Sequence, residues 1–266
     1  MSSLCNEVTL VTVSYNSAEV LPNHIASLRN STDNKVPRWI IVDNASTDNT
    51  DALLADSNDI EQFKCKDNLG FGAACNVGID ASNTPYVLVL NPDTELSYDA
   101  IAALLAEMKK TGAAVAGPAL EIEEKQITEE VGWIVGAVML FDKTLMAPIG
   151  YFDERFFLYR EDVDLCKRVR DAGLKVIHCK GINIPHVGGG STPRSKKLLK
   201  FVNFHKGRSY ALFALKHKRG AEVIDLYVKK NRRRMLFACF SFGAARYVRA
   251  KAKLDGVASV ATNCKS

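Results

Sequence analysis

The fold is decided in residues 86–96, which read YVLVLNPDTEL. An apolar run of strand length passes directly into the polar residues Asn91-Pro92-Asp93, and Glu95 follows two positions later. A continuous apolar run is typical of a strand that is covered on both faces of a parallel sheet. Because the proline stiffens the following turn, this stretch predicts a buried strand that delivers Asp93 to one edge of a sheet.

Strands and amphipathic helices alternate on both sides of this stretch. The predicted strands are 8–15, 39–43, 61–64, 86–90 and 113–118, and a further apolar stretch covers 133–141. The predicted helices are 17–28, one through Leu53-Leu54 with Ser46 or Thr47 as its N-cap, one beginning near Gly72, 98–110, and 161–172 with Gly173 as its stop. This alternation predicts the α/β class, with an open parallel sheet flanked by helices on both faces.

Polar clusters lie at the carboxyl ends of three of the predicted strands. They are Ser14-Tyr15-Asn16, Asp43-Asn44 and Asn91-Pro92-Asp93. In open α/β sheets, ligands bind beyond the carboxyl ends of the strands. We therefore expect the three clusters to line one cleft.

Two strand-end carboxylates each allow two interpretations. Asp93 can hold a hard divalent cation, which needs only one or two protein carboxylates, or the Asn-Pro-Asp-Thr stretch can merely turn the chain and cap the helix that starts near Ser97. Asp43 can accept hydrogen bonds from a nucleobase or ribose, or it can belong to a turn and cap. Spacing alone does not decide either case.

Two further features carry similar alternatives. Glu161-Asp162 can stabilise a helix N-terminus, or one carboxylate can act as a general base toward a hydroxyl. His186 can be structural, or it can belong to a ligand-covering loop, since it opens the glycine-rich stretch HVGGGSTPRS (186–195). The glycines of NLGFGAACNVGI (68–79) match neither a dinucleotide nor a P-loop motif.

Length and composition indicate a globular cytoplasmic protein whose cysteines are reduced. The 266 residues suit one large domain or one domain with an appendage, and the N-terminus has no secretory pattern. The longest mostly apolar run, 235–245, is far shorter than the roughly 20 residues that cross a bilayer. The seven cysteines are scattered without C-x-x-C spacing, which is typical of free thiols.

Charge divides the chain near residue 195. Residues 196–266 hold 18 Lys/Arg against 3 Asp/Glu, whereas the rest of the chain carries a net charge of −10. We predict a first domain over 1–195 and a basic, mostly helical extension over 196–266. The stretch 229–253 can lie on an anionic membrane surface at the inner face of the cell membrane. The alternatives are a helical hairpin packed on the first domain and a homodimer contact, while nothing favours nucleic acid.

Six motifs in order identify a family resemblance. They are VTVSYNS, IIVDNASTD, NLGFGAACNVGI, VLVLNPDTEL, FFLYREDVDLCKRVRDAGLKV and PHVGGGS. Over residues 8–195 the chain resembles the family 2 glycosyltransferases, in particular their bacterial rhamnosyltransferase-like branch. The resemblance implies a GT-A fold, a Rossmann-like open mixed sheet flanked by helices. It also implies inverting transfer of a sugar from a nucleotide diphosphate with the help of Mg²⁺ or Mn²⁺.

The resemblance also assigns roles to individual residues. It implies that Asp162 is the catalytic base, that Asp93 and His186 form the metal or diphosphate site, and that Glu161 shares the base's motif. Asp43 would contact the nucleobase. The other expected substrate-binding residues are Tyr15, Asn16, Asn68, Phe71 and Asn91 on the donor side, and Trp133 and Gly136 on the acceptor side.

Two departures from the family pattern narrow the expected activity. Asn91 replaces the first acid of the family's D-x-D motif, and no Q-x-x-R-W stretch is present. We therefore expect transfer of one or a few sugars, with dTDP-rhamnose favoured as donor, to a glycan or lipid-linked oligosaccharide of a bacterial surface polysaccharide such as an O-antigen. The alternatives are an inactive sugar-nucleotide-binding or scaffolding subunit and a nucleotidyltransferase.

Overall fold

The chain folds as two compact units. The structure, a computed structural model, describes residues 4–31, 36–55, 57–121, 127–186, 195–240 and 243–263. The first unit comprises Met1–Glu154 and Glu161–Gly190, and the second comprises Arg155–Arg160 and Ser191–Ser266. The domain boundary at residue 195 stays a prediction. Residues 187–194 of the predicted glycine loop lie outside the described residues.

The described part of the first unit contains eight strands and seven helices. The strands are β1 (Val8–Ser14), β2 (Arg38–Asp43), β3 (Ile60–Lys64), β4 (Tyr86–Leu90), β5 (Val115–Ala119), β6 (Ile127–Glu130), β7 (Val138–Asp142) and β8 (Val176–Asn183). The helices are α1 (Leu4–Glu7), α2 (Leu21–Arg29), α3 (Thr50–Ala55), α4 (Phe71–Ala81), α5 (Tyr98–Thr111), α6 (Lys143–Met146) and α7 (Glu161–Asp171).

The strands form one mixed sheet in the order β3-β2-β1-β4-β7-β5-β8-β6. The first four strands are parallel, whereas β7 runs antiparallel to both β4 and β5. At the far edge, β8 is parallel to β5 and β6 is antiparallel to β8. The predicted α/β class and the open mixed sheet are confirmed. The expectation of a purely parallel sheet is wrong at β6 and β7, which run antiparallel to their neighbours.

Apolar residues cover both faces of this sheet. One core joins the apolar sides of α2 and α5 to the strands, and the other joins α4 and α7 to the opposite face. Gly78 allows α4 to lie close to β1, since a Cβ at this position would come within 2.4 Å of Val11. Burial on both faces explains why the central strands read as continuous apolar runs.

Two predicted boundaries are wrong for local reasons. Helix α2 begins at Leu21 rather than at residue 17, because Pro22 occupies its first turn. Helix α3 begins at Thr50 and not directly after Ser46 or Thr47. The Oγ of Ser46 accepts a hydrogen bond from Asn16 N instead, and Asp48 Oδ1 accepts from Thr50 N. The apolar stretch at 133–141 becomes strand only from Val138.

The described residues of the second unit form three long helices, α8 (Lys196–Lys216), α9 (Ala221–Phe240) and α10 (Ala244–Asn263), so the predicted helical extension is present. Helices α8 and α10 cross closely at Gly207 and Gly256. Throughout the ranges that the structure describes, the helices are too short or too polar to span a bilayer.

Candidate active site

The carboxyl ends of β1 and β2 bring Ser14 and Asp43 side by side. The two residues are partners in the parallel register. Asp43 is fully buried, and its Oδ1 accepts a hydrogen bond from Ser46 N at 2.9 Å. Its Oδ2 and the Ser14 Oγ have no partner in the structure. An unpaired buried acceptor is costly, so this end of the sheet is suited to a ligand that donates a hydrogen bond.

Asn16 shapes the loop after β1. Its φ of 52° lies in the left-handed region, where asparagine is among the better tolerated residues. Its Oδ1 accepts from Thr47 N at 2.7 Å. The Asn16 side chain is therefore engaged in joining two loops, whereas the neighbouring Tyr15 is 49% exposed and can contact a ligand.

Asn68 is linked to the end of β2 by a residue outside the predicted set. The Nδ2 of Asn44 donates to Asn68 Oδ1 at 3.1 Å, and Asn44 Oδ1 accepts from Leu69 N at 2.8 Å. Asn68 Oδ1 also accepts from Gly70 N at 2.9 Å. These bonds fix the loop that leads into α4 and Phe71. The polar pair Asp43-Asn44 at a strand end was the signal that could have identified Asn44.

Asp93 and His186 form an ion pair beyond the end of β4. The Oδ1 of Asp93 lies 2.9 Å from His186 Nε2, and Asn91 Nδ2 lies 3.4 Å from the same nitrogen. The hydrogen bond to Asp93 raises the pKa of His186 despite partial burial. Burial opposes ionisation of Asp93, but the bond to His186 outweighs it and lowers the pKa of that carboxyl. Each member of the pair therefore stabilises the charged form of the other.

His24 contacts the segment that carries Asp93, and this role was not predicted from the sequence. Its Nδ1 lies 2.7 Å from Thr94 O, and its Nε2 lies 3.0 Å from Thr12 Oγ1. Because a carbonyl oxygen only accepts, the proton is on Nδ1. Burial lowers the pKa of His24 to about 4, so the ring is neutral. A single histidine on an apolar helix stripe gave no signal for this supporting role beside Asp93.

Asp162 lies in the first turn of α7 and meets two other predicted residues. Its Oδ2 accepts from Gly136 N at 3.1 Å, and its Oδ1 accepts from Val163 N at 2.7 Å. A Cβ on Gly136 would lie 3.3 Å from Asp162 Cβ and 3.6 Å from Phe71 Cε1. Asp162, Gly136 and Phe71 therefore converge, and the two N–H donors stabilise an ionised carboxylate.

Glu161 occupies a very different environment from its neighbour. It is 7% exposed, and its Oε2 has no hydrogen-bond partner in the structure. Burial, with a further contribution from the charge of Asp162, raises the pKa of Glu161 to about 8. At neutral pH Glu161 is therefore mainly protonated, and it is not presented to solvent as a charged ligand.

Short backbone contacts connect the Asp93 pair to Asp162. Asn91 N donates to Ala137 O at 2.8 Å, and the residue before Ala137, Gly136, donates to Asp162. Trp133, also predicted on the acceptor side, is 50% exposed in the loop before β7.

Comparison with known proteins decides the family. The family model described as glycosyl transferase family 2 matches residues 9–201, which is most of the chain. The chain belongs to glycosyl transferase family 2. The family predicted from the six motifs is thereby confirmed.

Two curated relatives of this family 2 glycosyltransferase are themselves named as glycosyltransferases. One is the low-salt glycan biosynthesis hexosyltransferase Agl10 of Haloferax volcanii, with 23% identity over 69% of this chain and 68% of the relative. The other is the N-acetylglucosaminyl-diphospho-decaprenol L-rhamnosyltransferase of Mycobacterium tuberculosis, with 27% identity over 78% of this chain and 84% of the relative.

A solved structure shows the same fold. The mannosyltransferase PcManGT from Pyrobaculum calidifontis, solved with GDP-mannose and Mn²⁺, aligns with a TM-score of 0.63 and 14% identity. The alignment covers 97% of this chain and 79% of that one. At this identity the match establishes the GT-A architecture alone.

The residues of this glycosyltransferase can bind a divalent cation only if water and substrate phosphates supply its other ligands. Within the described ranges, no group of three or more His, Cys, Asp or Glu side chains is arranged to hold a metal ion. Asp93 and His186 offer one oxygen and one nitrogen donor within 2.9 Å of each other. Since Mg²⁺ and Mn²⁺ commonly take their remaining ligands from water and substrate phosphates, this pair is compatible with a metal–diphosphate site.

Proposed function

We propose that this protein is an inverting glycosyltransferase that moves a sugar from a nucleotide diphosphate to an acceptor hydroxyl. The observation that supports it most directly is the chain of contacts from Asp93 to Asp162. These contacts run through Asn91, Ala137 and Gly136. They join Asp93 and His186, which can bind a diphosphate, to Asp162, whose carboxylate can accept a proton.

Asp93 and His186 would hold the divalent cation. When bound, the Mg²⁺ or Mn²⁺ ion supplies positive charge against the departing diphosphate. The Asp93 carboxylate is ionised without the ion because His186 already stabilises its charge. Asn91, whose Nδ2 lies 3.4 Å from His186 Nε2, is placed to donate to a phosphate oxygen.

Asp162 would act as the general base. Its carboxylate takes the proton of the acceptor hydroxyl, whose oxygen bonds to the anomeric carbon as the bond from that carbon to the diphosphate oxygen breaks on the opposite face. Gly136 N and Val163 N orient the carboxylate. Because Glu161 keeps its proton at neutral pH, it places little negative charge beside Asp162.

Asp43 would hold the nucleobase. Its unpartnered Oδ2 can accept the hydrogen bond of a base N–H, and a ligand there would relieve the cost of the buried, unpaired oxygen. Tyr15, exposed beside it, can cover the base, while Asn68 and Phe71 border the sugar. Asn16 would act indirectly, by fixing the loop next to Tyr15.

The favoured donor is dTDP-rhamnose and the favoured acceptor is a lipid-linked oligosaccharide of a bacterial surface polysaccharide. The rhamnosyltransferase of Mycobacterium tuberculosis supports this choice, because the acceptor in its name is a sugar on diphospho-decaprenol. Trp133 and Gly136 would face the acceptor. Such a substrate would place the protein in the cytoplasm at the inner face of the cell membrane, with the basic helices as the anionic-surface contact.

The role of Asp162 is tested by removing its charge. We expect Asp162→Asn to lower turnover by about 10²–10⁴-fold, the usual contribution of a general base, while donor affinity stays close to the native value. Asp171→Asn, at the exposed end of the same helix, is the matched control and should keep native turnover. Turnover of Asp162→Asn equal to that of the control would exclude Asp162 as the base.

The donor is tested by thermal shift with dTDP-rhamnose, UDP-galactose and UDP-N-acetylglucosamine, each with and without Mn²⁺. A bound ligand stabilises the folded state by RT ln(1 + [L]/Kd), so at equal concentration the tighter donor gives the larger increase in melting temperature. We expect the largest increase for dTDP-rhamnose with Mn²⁺. A larger increase with another donor would replace rhamnose in the proposal without removing the transferase reaction.

A further inference from the structure

A pocket in the second unit lies among the three long helices and carries unusual charge. It has a volume of about 430 Å³, and its lining includes Lys206 of α8, Lys230 and Arg234 of α9, and Lys253 of α10. We call it the basic pocket. Helices α8 and α10, which both line it, cross closely, since a Cβ on Gly207 would lie only 2.0 Å from Lys253 O.

Positive charge accumulates in the basic pocket. Among the described residues that line it, none is acidic. Burial, and then the nearby charges of Arg234 and Lys206 among others, lower the pKa of Lys253. Asp255, an acidic residue of the same helix, is paired with Lys251 instead. Like charges held this close favour an anionic ligand that neutralises them.

The pocket also has a polar, aromatic wall. Tyr210 and Tyr227 stack with ring centroids 3.9 Å apart, and the Arg160 guanidinium lies 4.7 Å from the Tyr210 ring. Asn231 is 1% exposed and lines the same pocket, and its Oδ1 has no hydrogen-bond partner in the structure. A buried amide oxygen without a partner is suited to a ligand that also carries a hydroxyl.

We propose that the basic pocket binds a phosphate or diphosphate group. Three lysines and an arginine on three helices match an anion with several oxygens, and a monoprotonated phosphate or an attached sugar can donate to Asn231 Oδ1. Large apolar side chains that are 65% exposed flank the cations, Leu226 in this pocket and Phe237 in the adjoining one. The surroundings therefore suit a phosphate carried on a lipid. The inference does not depend on the reaction proposed for the first unit.

Calorimetric titration of the full chain with inorganic pyrophosphate, without divalent metal, tests the site. We expect Arg234→Gln and Lys230→Gln each to weaken binding by about tenfold, the effect of losing one charge-assisted hydrogen bond. Both side chains are exposed, so the fold should tolerate the change. Arg232→Gln is the matched control, since this exposed residue lies on the same helix but does not line the basic pocket.

Equal losses in Arg234→Gln and Arg232→Gln would overturn the proposal, because they would indicate diffuse charge and not a site. Absence of binding to the native chain at about 1 mM pyrophosphate would overturn it as well. Sedimentation with phosphatidylglycerol and phosphatidylcholine vesicles then identifies the source of the phosphate. If pyrophosphate releases the protein from phosphatidylglycerol vesicles, the pocket binds a lipid phosphate. If pyrophosphate leaves the attachment of the protein unchanged, the pocket binds a free phosphate compound.

Discussion

Glu161 and Asp162 show how neighbouring residues of the same chemistry can differ in charge. Glu161 points into an apolar environment, and burial raises its pKa to about 8. Asp162 remains half-buried and accepts two backbone hydrogen bonds. Carboxyl groups whose environments favour different protonation states are a common arrangement at sites of proton transfer. Glu161 is therefore mainly neutral at neutral pH beside a carboxylate that two backbone N–H groups stabilise.

Replacing Glu161 with glutamine should change how stability depends on pH. The folded pKa of about 8 lies above the ordinary glutamate pKa of 4.5, so the folded state holds its proton where the unfolded state has lost it. Stability from this group is therefore full below about pH 4.5 and is lost as pH rises through 8. We expect the free energies of unfolding of Glu161→Gln and native protein to be similar near pH 4.5 and to diverge above it.

At pH 9 we expect Glu161→Gln to be more stable than the native protein by a few kcal/mol, on the order of 1.4 kcal/mol per unit of pKa difference. Denaturant unfolding across this pH range provides the measurement. Glu154→Gln, an exposed glutamate, serves as the control and should follow the native curve. A constant difference between Glu161→Gln and native protein at all pH values would contradict the raised pKa.

From the sequence it could be predicted that polar side chains of neighbouring strands share one edge of the sheet, but not how each of them interacts there. Asp43 and Asp93 could be placed together because each follows a buried parallel strand. The neutral state of Glu161 could not be predicted, since it depends on burial by residues distant in sequence. His24 was missed for the same reason, because its contact with Thr94 O joins segments that only the tertiary fold brings together. The catalytic and binding roles themselves stay predictions.

At the level of elements, two glycines determine how the helices of the second unit pack. A Cβ on Gly207 would lie 2.0 Å from Lys253 O, and one on Gly256 would lie 2.0 Å from Phe204 O. Real side-chain carbons do not approach backbone oxygens this closely, so both helices need a residue without a Cβ at the crossing. The positions of Lys206 and Lys253 in the basic pocket follow from that close approach.

Gly207→Ala should separate α8 from α10. The added methyl group overlaps backbone, which cannot move aside as a flexible side chain does, so we expect a loss of about 1–3 kcal/mol in unfolding free energy. Hydrogen exchange should accelerate in both helices. Gly132→Ala is the matched control because a Cβ there meets nothing within 4 Å, and it should change stability by less than about 0.5 kcal/mol. Equal effects of the two substitutions would refute the close crossing.

Strands were easier to predict than helix starts. Burial on both faces leaves a continuous apolar run, and 86–90 and 39–43 were placed within one residue of β4 and β2. The start of helix α3 was predicted too early, because Ser46, a good N-cap residue, accepts a hydrogen bond from Asn16 N in the loop after β1 instead. The antiparallel direction of β7 has no local signature, since it depends on which strands lie beside it in the sheet.

At the scale of the whole molecule, the two units are interleaved along the chain. The segment Arg155–Arg160 clusters with the second unit, yet it directly precedes Glu161 of the first. Tyr159 and Arg160 both have positive φ, 70° and 67°, which costs free energy in residues that carry side chains. Contacts with α8 hold the segment. Ser209 Oγ donates to Leu158 O at 2.8 Å, and Arg208 Nη1 donates to Arg155 O at 2.8 Å.

Ser209→Ala should loosen this segment while the rest of the chain stays folded. Ser209 is fully buried, so its loss leaves Leu158 O without that donor, at a cost of about 1–3 kcal/mol. We expect faster hydrogen exchange at 156–161 than in the native protein. Ser259→Ala is the matched control, because Ser259 Oγ bonds Gly256 O within its own helix, and it should leave 156–161 unchanged. If the segment stayed equally protected in both variants, the contacts with α8 would not be what holds the two strained residues that lead into the proposed catalytic pair.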